Sequence, residues 1–361
     1  MRVLISGSSG LVGTAITQLL TENGHTISRL LRHKSRVKFV EAPPLEERPI
    51  EAPQVDPSSD DAPPIDVSSI DDQTEESLPA PIEVAVEKSI ENETLPTVPR
   101  DVRWDPVTNE FDAQAAEGAD AVVHLAGASI GDGRWTNARK ALLRSSRVES
   151  TRHLVDSLRT LSAKPKVFVG VSAVGYYGNR GDEKLTEHSG PGSDFLAQIC
   201  KDWEHESNRA AEFGARVVIL RFGIILSTRG GALPRMLTPI KMFVGGKLGS
   251  GQQWMSWISL DDVAKIIQFV LENENVRGPI NTVSPYPIRN ADFTKKAARA
   301  VHRPAVFPAP AFALRLALGE MADGLLLSSQ RALPEKLQTL GYKFQDSDLG
   351  FTLARLISER K

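Results

Sequence analysis

Short apolar runs alternate along this chain with longer stretches whose apolar residues recur at helical spacing. Val3-Leu4-Ile5, Thr26 to Leu31, Asp101 to Trp104, Asp120 to Leu125, Val167 to Ser172 and Arg216 to Phe222 read as strands. Between them, Thr14 to Asn23 carries Ile16, Leu19 and Leu20 on one face, and Gly24 is placed to cap it. Thr136 to Leu161 predicts one long amphipathic helix, with Leu142, Leu143, Val148, Leu154, Val155, Leu158 and Leu161 near one stripe. Ser193 to Phe213 predicts another helix, ending at Gly214. Near-continuous apolar strands alternating with such helices predict an α/β fold, a Rossmann-type doubly wound parallel sheet covered on both faces. Beyond residue 225 the pieces are shorter and richer in Pro and Gly. Helices near Leu260–Asn273, Asn290–Val301, Ala311–Leu327 and Pro334–Leu340 predict a smaller, mainly helical C-terminal lobe over residues 226–361. The nucleotide-binding part would then comprise 1–40 and 100–225.

The gap between those two parts changes the charge picture. Residues 41–99 hold 16 Asp/Glu against Arg48 and Lys88, together with 11 prolines and no aromatic residue. Such a segment buries too little apolar surface to offset its ordering entropy, so a disordered acidic insertion is expected. The remaining 302 residues carry a net charge of +12, although the whole chain stands at −2. Those basic residues are scattered and no recognition motif accompanies them, so no nucleic-acid partner is expected. No apolar stretch approaches the roughly 20 residues that span a bilayer, so no membrane partner is expected either. The first residues already read as a core strand, so no removable leader is expected. One cysteine, Cys200, excludes an intramolecular disulfide, and a cytoplasmic location is expected. The seven histidines show no ligand spacing, and no metal site is expected.

The candidate chemistry begins at Gly7-Ser8-Ser9-Gly10-Leu11-Val12-Gly13, directly after the first apolar run. Gly7 permits a tight turn, Gly10 lets the backbone approach a pyrophosphate, and Gly13 lets helix and strand pack closely. The helix start then offers free N–H groups and a positive dipole end to the phosphates. The second strand ends Leu31-Arg32-His33-Lys34, with no acid until Glu41. An acid there would take the ribose hydroxyls of NAD, whereas Arg32 can form a charge-assisted fork with a 2′-phosphate. NADP is therefore expected in preference to NAD.

Further motifs carry a family resemblance. They include Arg103-Trp104-Asp105-Pro106, His124-Leu125-Ala126-Gly127-Ala128, Arg134-Trp135, Ser146-Arg147 and Ser172-Ala173-Val174-Gly175-Tyr176-Tyr177-Gly178. Asp194-Phe195-Leu196, Asp202-Trp203-Glu204, Arg221-Phe222-Gly223, the run Gly245 to Gln252, Ser256-Trp257-Ile258 and the tail from Pro304 to Leu356 follow. With Gly7–Gly13 these resemble the extended short-chain dehydrogenase/reductases, in the atypical "epimerase family" branch that ends in a C-terminal domain of unknown function. The resemblance spans everything except 41–99. It implies cofactor contacts at Gly7, Gly10, Leu11, Val12, Gly13 and Arg32, with Asp105 near the adenine. It also implies Leu125-Ala126-Gly127 along the ribose and pyrophosphate, and Phe222-Gly223 near the nicotinamide.

The chain departs from that pattern where the chemistry should be. The superfamily uses a Tyr and a Lys four residues later, the ammonium lowering the phenol pKa so that it can shuttle a proton. Four residues after Tyr176, Tyr177, Tyr286 and Tyr342 stand Arg180, Gly181, Asn290 and Asp346, so no Tyr-x-x-x-Lys exists. Counting back from Glu204 puts Leu196 at the Tyr position and Cys200 at the Lys position, with Lys201 about 100° around the helix. Ser172 and Tyr177 are the remaining candidates for a catalytic proton donor. Ser172 is either a cofactor-facing hydroxyl or a strand-end hydrogen bonder, and Tyr177 is either a donor above the cofactor or a packing residue. Arg134-Trp135 and Trp254–Trp257 either line a substrate cleft or pack between lobes. Asp261-Asp262 reads as a helix start, not a metal pair. Two functions follow: an NADP-dependent oxidoreductase or epimerase-type enzyme on a small polar substrate, or a non-catalytic NADP(H)-binding redox sensor or regulator.

Overall fold

The computed structural model describes residues 1–31 and 100–359; Arg32 and the expected insertion 41–99 lie outside the described residues. Among the described residues, eight strands form one sheet. Their order is Gly278–Thr282, Arg216–Phe222, Val167–Ala173, Ala121–His124, Arg2–Ser6, Thr26–Leu31, Arg100–Asp105 and Glu110–Phe111. All pair in parallel except the two-residue strand Glu110–Phe111, which folds back on Arg100–Asp105. Strand order reverses on either side of Arg2–Ser6, which pairs with Thr26–Leu31 on one edge and Ala121–His124 on the other. That reversal is the switch point at which doubly wound sheets open a crevice beyond their carboxyl ends.

Side-chain alternation divides the core. Val3, Ile5, Ala121, Val123, Val167 and Val169 point into one layer with Ile16, Leu20, Ile266 and Val270. Leu4, Val122 and Phe168 point into the other with Leu154, Val155 and Leu158. The first layer is covered by the helices Leu11–Glu22 and Leu260–Glu272, the second by Val148–Arg159 and Phe195–Asn208. A period of two in strands buried on both faces requires this split.

Three expectations need correction. The single helix over Thr136 to Leu161 is two helices, Asn137–Ser145 and Val148–Arg159. The break at Ser146-Arg147 brings both residues to the loop after Ala121–His124, where Ser146 Oγ accepts from Ala128 N (3.1 Å) and Arg147 Nη2 donates to Ala128 O (2.9 Å). The boundary at 225 also fails. The strand Gly278–Thr282 extends the main sheet, covering the edge that Arg216–Phe222 would otherwise expose, and the helix Leu260–Glu272 packs on its face. The helix expected over Ala311 to Leu327 stops at Leu318. Gly319 follows with φ +64°, and a wide π-helical turn spans Ala322–Leu327. The structure adds the helices Ala232–Lys241 and Leu349–Ser358; with Asn290–Ala300 they surround a separate apolar cluster around Trp257, Phe293 and Leu353. Pro239 and Gly350 obscure their periodicity in the sequence. Among the described residues no helix is long and apolar enough to cross a membrane.

Candidate functional site

The first strand ends at Ser6 and the chain turns at Gly7, which adopts φ +70°. A Cβ there would lie 3.0 Å from the Leu125 carbonyl carbon and 3.1 Å from Ala126 N. A Cβ on Gly13 would overlap the Gly7 carbonyl oxygen and come within 2.6 Å of Ser8 Cα. Only glycines let turn, helix and neighbouring loop approach this closely. Gly10 N donates to Gly7 O (3.0 Å), and the helix begins at Leu11 with no side chain capping it. Its first turn is therefore open to an external acceptor. Ser8 Oγ is buried without a hydrogen-bond partner, and Ser9 and Gly10 are exposed. A glycine cradle, an uncapped helix start and an orphaned hydroxyl fit a dinucleotide pyrophosphate.

Beside the turn, a buried polar chain fixes the crevice walls. His124 Nδ1 accepts from Ser6 Oγ (2.6 Å), and Ser6 Oγ in turn accepts from Leu125 N (3.1 Å). Thr151 Oγ1 donates to Arg147 O (2.6 Å), so it accepts from both His124 Nε2 and Trp203 Nε1, each at 2.9 Å. The Nε2–H tautomer of His124 follows, and the strands Arg2–Ser6 and Ala121–His124 are tied to two helices. Burial pulls the His124 pKa down to about 4 from 6.5. Because the folded pKa is depressed, the unfolded chain binds the extra proton first as pH falls. His124 should therefore cost the fold about 3 kcal/mol between pH 6.5 and pH 4, and nothing further below that. Denaturant melts across that window should show the loss in the wild type and a shallower slope in His124→Asn.

The residues expected along the cofactor path divide. Leu125 and Ala126 are half-buried beside Gly7, and Gly127 is exposed beside Arg147. Leu11 and Val12 are half-buried on the first helical turn. Asp105 is half-buried and accepts from Val107 N (2.8 Å), holding the turn after the third strand. Phe222 is half-buried at the strand end. A Cβ on Gly223 would meet Ser256 O at 2.6 Å, so that glycine serves a backbone crossing within the protein.

At the position of the missing pair, the helix Phe195–Asn208 presents Leu196 and Cys200, only 8% and 5% exposed. Lys201 is exposed. Burial, then the nearby Glu204 carboxylate, pushes the Cys200 thiol up to about 11, so it is no nucleophile at neutral pH. Ser172 Oγ is buried next to that thiol and lacks a conventional hydrogen bond. Tyr177 requires correction as a proton donor. It is fully buried, and its hydroxyl donates to Asn281 Oδ1 (2.6 Å) while accepting from Arg221 Nη1 (3.0 Å). Burial pushes its pKa up to about 12. Arg221 also grips Glu204 through Nε (2.8 Å) and Nη2 (2.7 Å), and stacks 3.6 Å from the Tyr176 ring centre. This buried Glu204–Arg221–Tyr177–Asn281 chain, invisible in sequence, braces the helix against the sheet.

The aromatic candidates make contacts within the protein. Trp135 is buried, donates to Ile130 O (3.1 Å) and lies against Gly324. Trp257 is fully buried, and Trp254 donates to Asp182 Oδ1 (2.9 Å) between Arg289 and Arg331. Asp262 sits in the first turn of its helix, capped by Ser259, and accepts from Gln345 N and Asp346 N, both at 2.9 Å.

A family model described as the NAD dependent epimerase/dehydratase family matches residues 3–283, and a domain of unknown function matches residues 309–356. An epimerase family protein of Mycobacterium bovis is 36% identical over 351 residues, covering 97% of this chain and 96% of the relative. The crystal structure of a human epimerase family protein with NADPH superposes with a TM-score of 0.75 at 26% identity, covering 99% of each chain. A UDP-glucuronic acid 4-epimerase from Bacillus cereus, in complex with UDP-glucuronic acid and NAD, has a TM-score of 0.67 at 16% identity over all of both chains, a likeness of fold alone.

Proposed function

Since the chain belongs to the NAD dependent epimerase/dehydratase family, we propose that it binds NADP(H) at the switch point without the Tyr–Lys proton relay. Its function is then the binding itself, in which the cofactor's oxidised or reduced occupancy is read by a partner. The observation that carries this reading is the pairing of a glycine cradle with buried Leu196 and Cys200. The cradle can seat a pyrophosphate, whereas two apolar side chains cannot exchange a proton. Gly7, Gly10, Leu11, Val12 and Gly13 would hold the diphosphate, Asp105 would border the adenine, and Leu125-Ala126-Gly127 would flank the ribose. When bound, the nicotinamide can accept or deliver a hydride. The chain's own groups contribute position and desolvation, and the neutral His124 keeps positive charge out of the wall behind the cradle.

Arg32 supports NADP over NAD, because a guanidinium can fork onto a 2′-phosphate. Arg32→Asp is expected to weaken NADPH binding at least tenfold, about 1.4 kcal/mol, and leave NADH within twofold. Equal losses for both would remove Arg32 from the 2′-phosphate site.

Ser172 favours a second reading, a hydride-transfer enzyme on a small polar substrate, because its buried hydroxyl at a strand's carboxyl end has only the weak Cys200 thiol beside it. Stoichiometric NADPH with a panel of carbonyl compounds and sugar nucleotides separates the two. Cofactor fluorescence that stays constant throughout supports the binding reading. Turnover that Ser172→Ala abolishes would replace it with the enzymatic one.

A further inference from the structure

Arg147 occupies the break between Asn137–Ser145 and Val148–Arg159, with its backbone at φ −116°, ψ −62°. The break carries its side chain into the crevice wall. Nη2 donates to Ala128 O (2.9 Å) and Nη1 to Leu143 O (3.2 Å). A Cβ on Gly127 would lie 3.5 Å from the guanidinium carbon, which stands 5.3 Å from the centre of the Trp203 ring. Trp203 is one turn beyond Cys200 on the helix Phe195–Asn208. The guanidinium therefore bridges the loop Leu125-Ala126-Gly127 and the helix stretch that, in the superfamily, carries the lysine.

Its electrostatic situation is unlike that of the buried Arg221. Arg221 is neutralised by Glu204. Among the described residues, no carboxylate pairs with Arg147, and its acceptors are neutral oxygens. Burial accordingly holds its pKa below the usual arginine range, and the ionisable groups facing it are Cys200 and Arg139. A partly buried cation without a counter-charge is costly. The cost is offset if a ligand supplies the missing acceptors.

We propose that Arg147 binds the nicotinamide mononucleotide half of the dinucleotide, reaching in from the neighbouring helix to replace the lysine lost at Cys200. This rests on the NADP(H) reading above. Guanidinium donors suit the hydroxyls of a ribose and the oxygens of a phosphate alike, and Nε and the second Nη2 proton are available for them. The replacement restores the lysine's binding role without its proton relay, since no tyrosine adjoins it.

The test compares NADPH with 2′,5′-ADP, which lacks that half, in the full-length wild type, Arg147→Met and Arg147→Lys. Arg147→Met is expected to weaken NADPH at least tenfold and to leave 2′,5′-ADP within twofold, whereas Arg147→Lys stays within about threefold for both. Unchanged NADPH affinity in Arg147→Met overturns the proposal. So does a parallel loss of both ligands, which would assign Arg147 to the fold alone. A wild type that binds neither ligand would instead bring down the NADP(H) reading itself, and this inference with it.

Discussion

Gly13→Ala is expected to reduce NADPH affinity at least a hundredfold, about 2.7 kcal/mol, while the protein keeps a native far-ultraviolet spectrum. The single methyl would overlap the Gly7 carbonyl oxygen and press on Ser8 Cα. Both are backbone atoms, so no rotamer change relieves the contact and the turn itself must move. Relief would push the start of the helix away from the strand, and the amides of the cradle would leave their positions together. Directional binding of a pyrophosphate tolerates such movement poorly. Fluorescence titration with NADPH measures the loss directly. Wild-type affinity in Gly13→Ala would mean that the cofactor sits elsewhere.

Glu204→Gln should be among the most destabilising single changes, costing about 3–5 kcal/mol. Glu204 and Arg221 are 7% and 3% exposed and joined by two hydrogen bonds, so the substitution leaves a buried guanidinium without its counter-charge. The damage extends to the Tyr177 hydroxyl, which accepts from the same guanidinium and donates to Asn281 on the strand Gly278–Thr282. A melting temperature lower by roughly 8 °C or more is expected. A shift under about 2 °C would show that the chain of bonds contributes little to the fold. Replacing the pair together, as Glu204→Met with Arg221→Met, should cost less than Glu204→Gln alone, because no unpaired charge remains.

Much of the architecture could be read from the sequence, and the failures share a cause. The strands Arg2–Ser6 and Ala121–His124 were legible because each is buried on both faces and centres on a short apolar run. Gly278–Thr282 was not, since Gly-Pro opens it and Asn281 and Thr282 interrupt its apolar character. The break at Ser146-Arg147 was hidden by helices whose stripes continue in phase across it. The glycine turn was legible because backbone approach admits only one residue type. By contrast, the roles of Tyr177, His124 and Arg147 are set by partners 104, 27 and 19 residues away, at Asn281, Thr151 and Ala128. No local pattern encodes those distances. The absent Tyr–Lys pair was legible as a plain count, and the structure adds that Leu196 and Cys200 stand buried in its place.

The account stands or falls on a dinucleotide held by the amides that open the helix Leu11–Glu22. Isothermal titration of the purified full-length chain with NADPH tests this most directly. One site per chain with micromolar or tighter affinity, lost in Gly13→Ala, is the predicted result. No heat with NADPH or NADH at millimolar concentration would contradict the account.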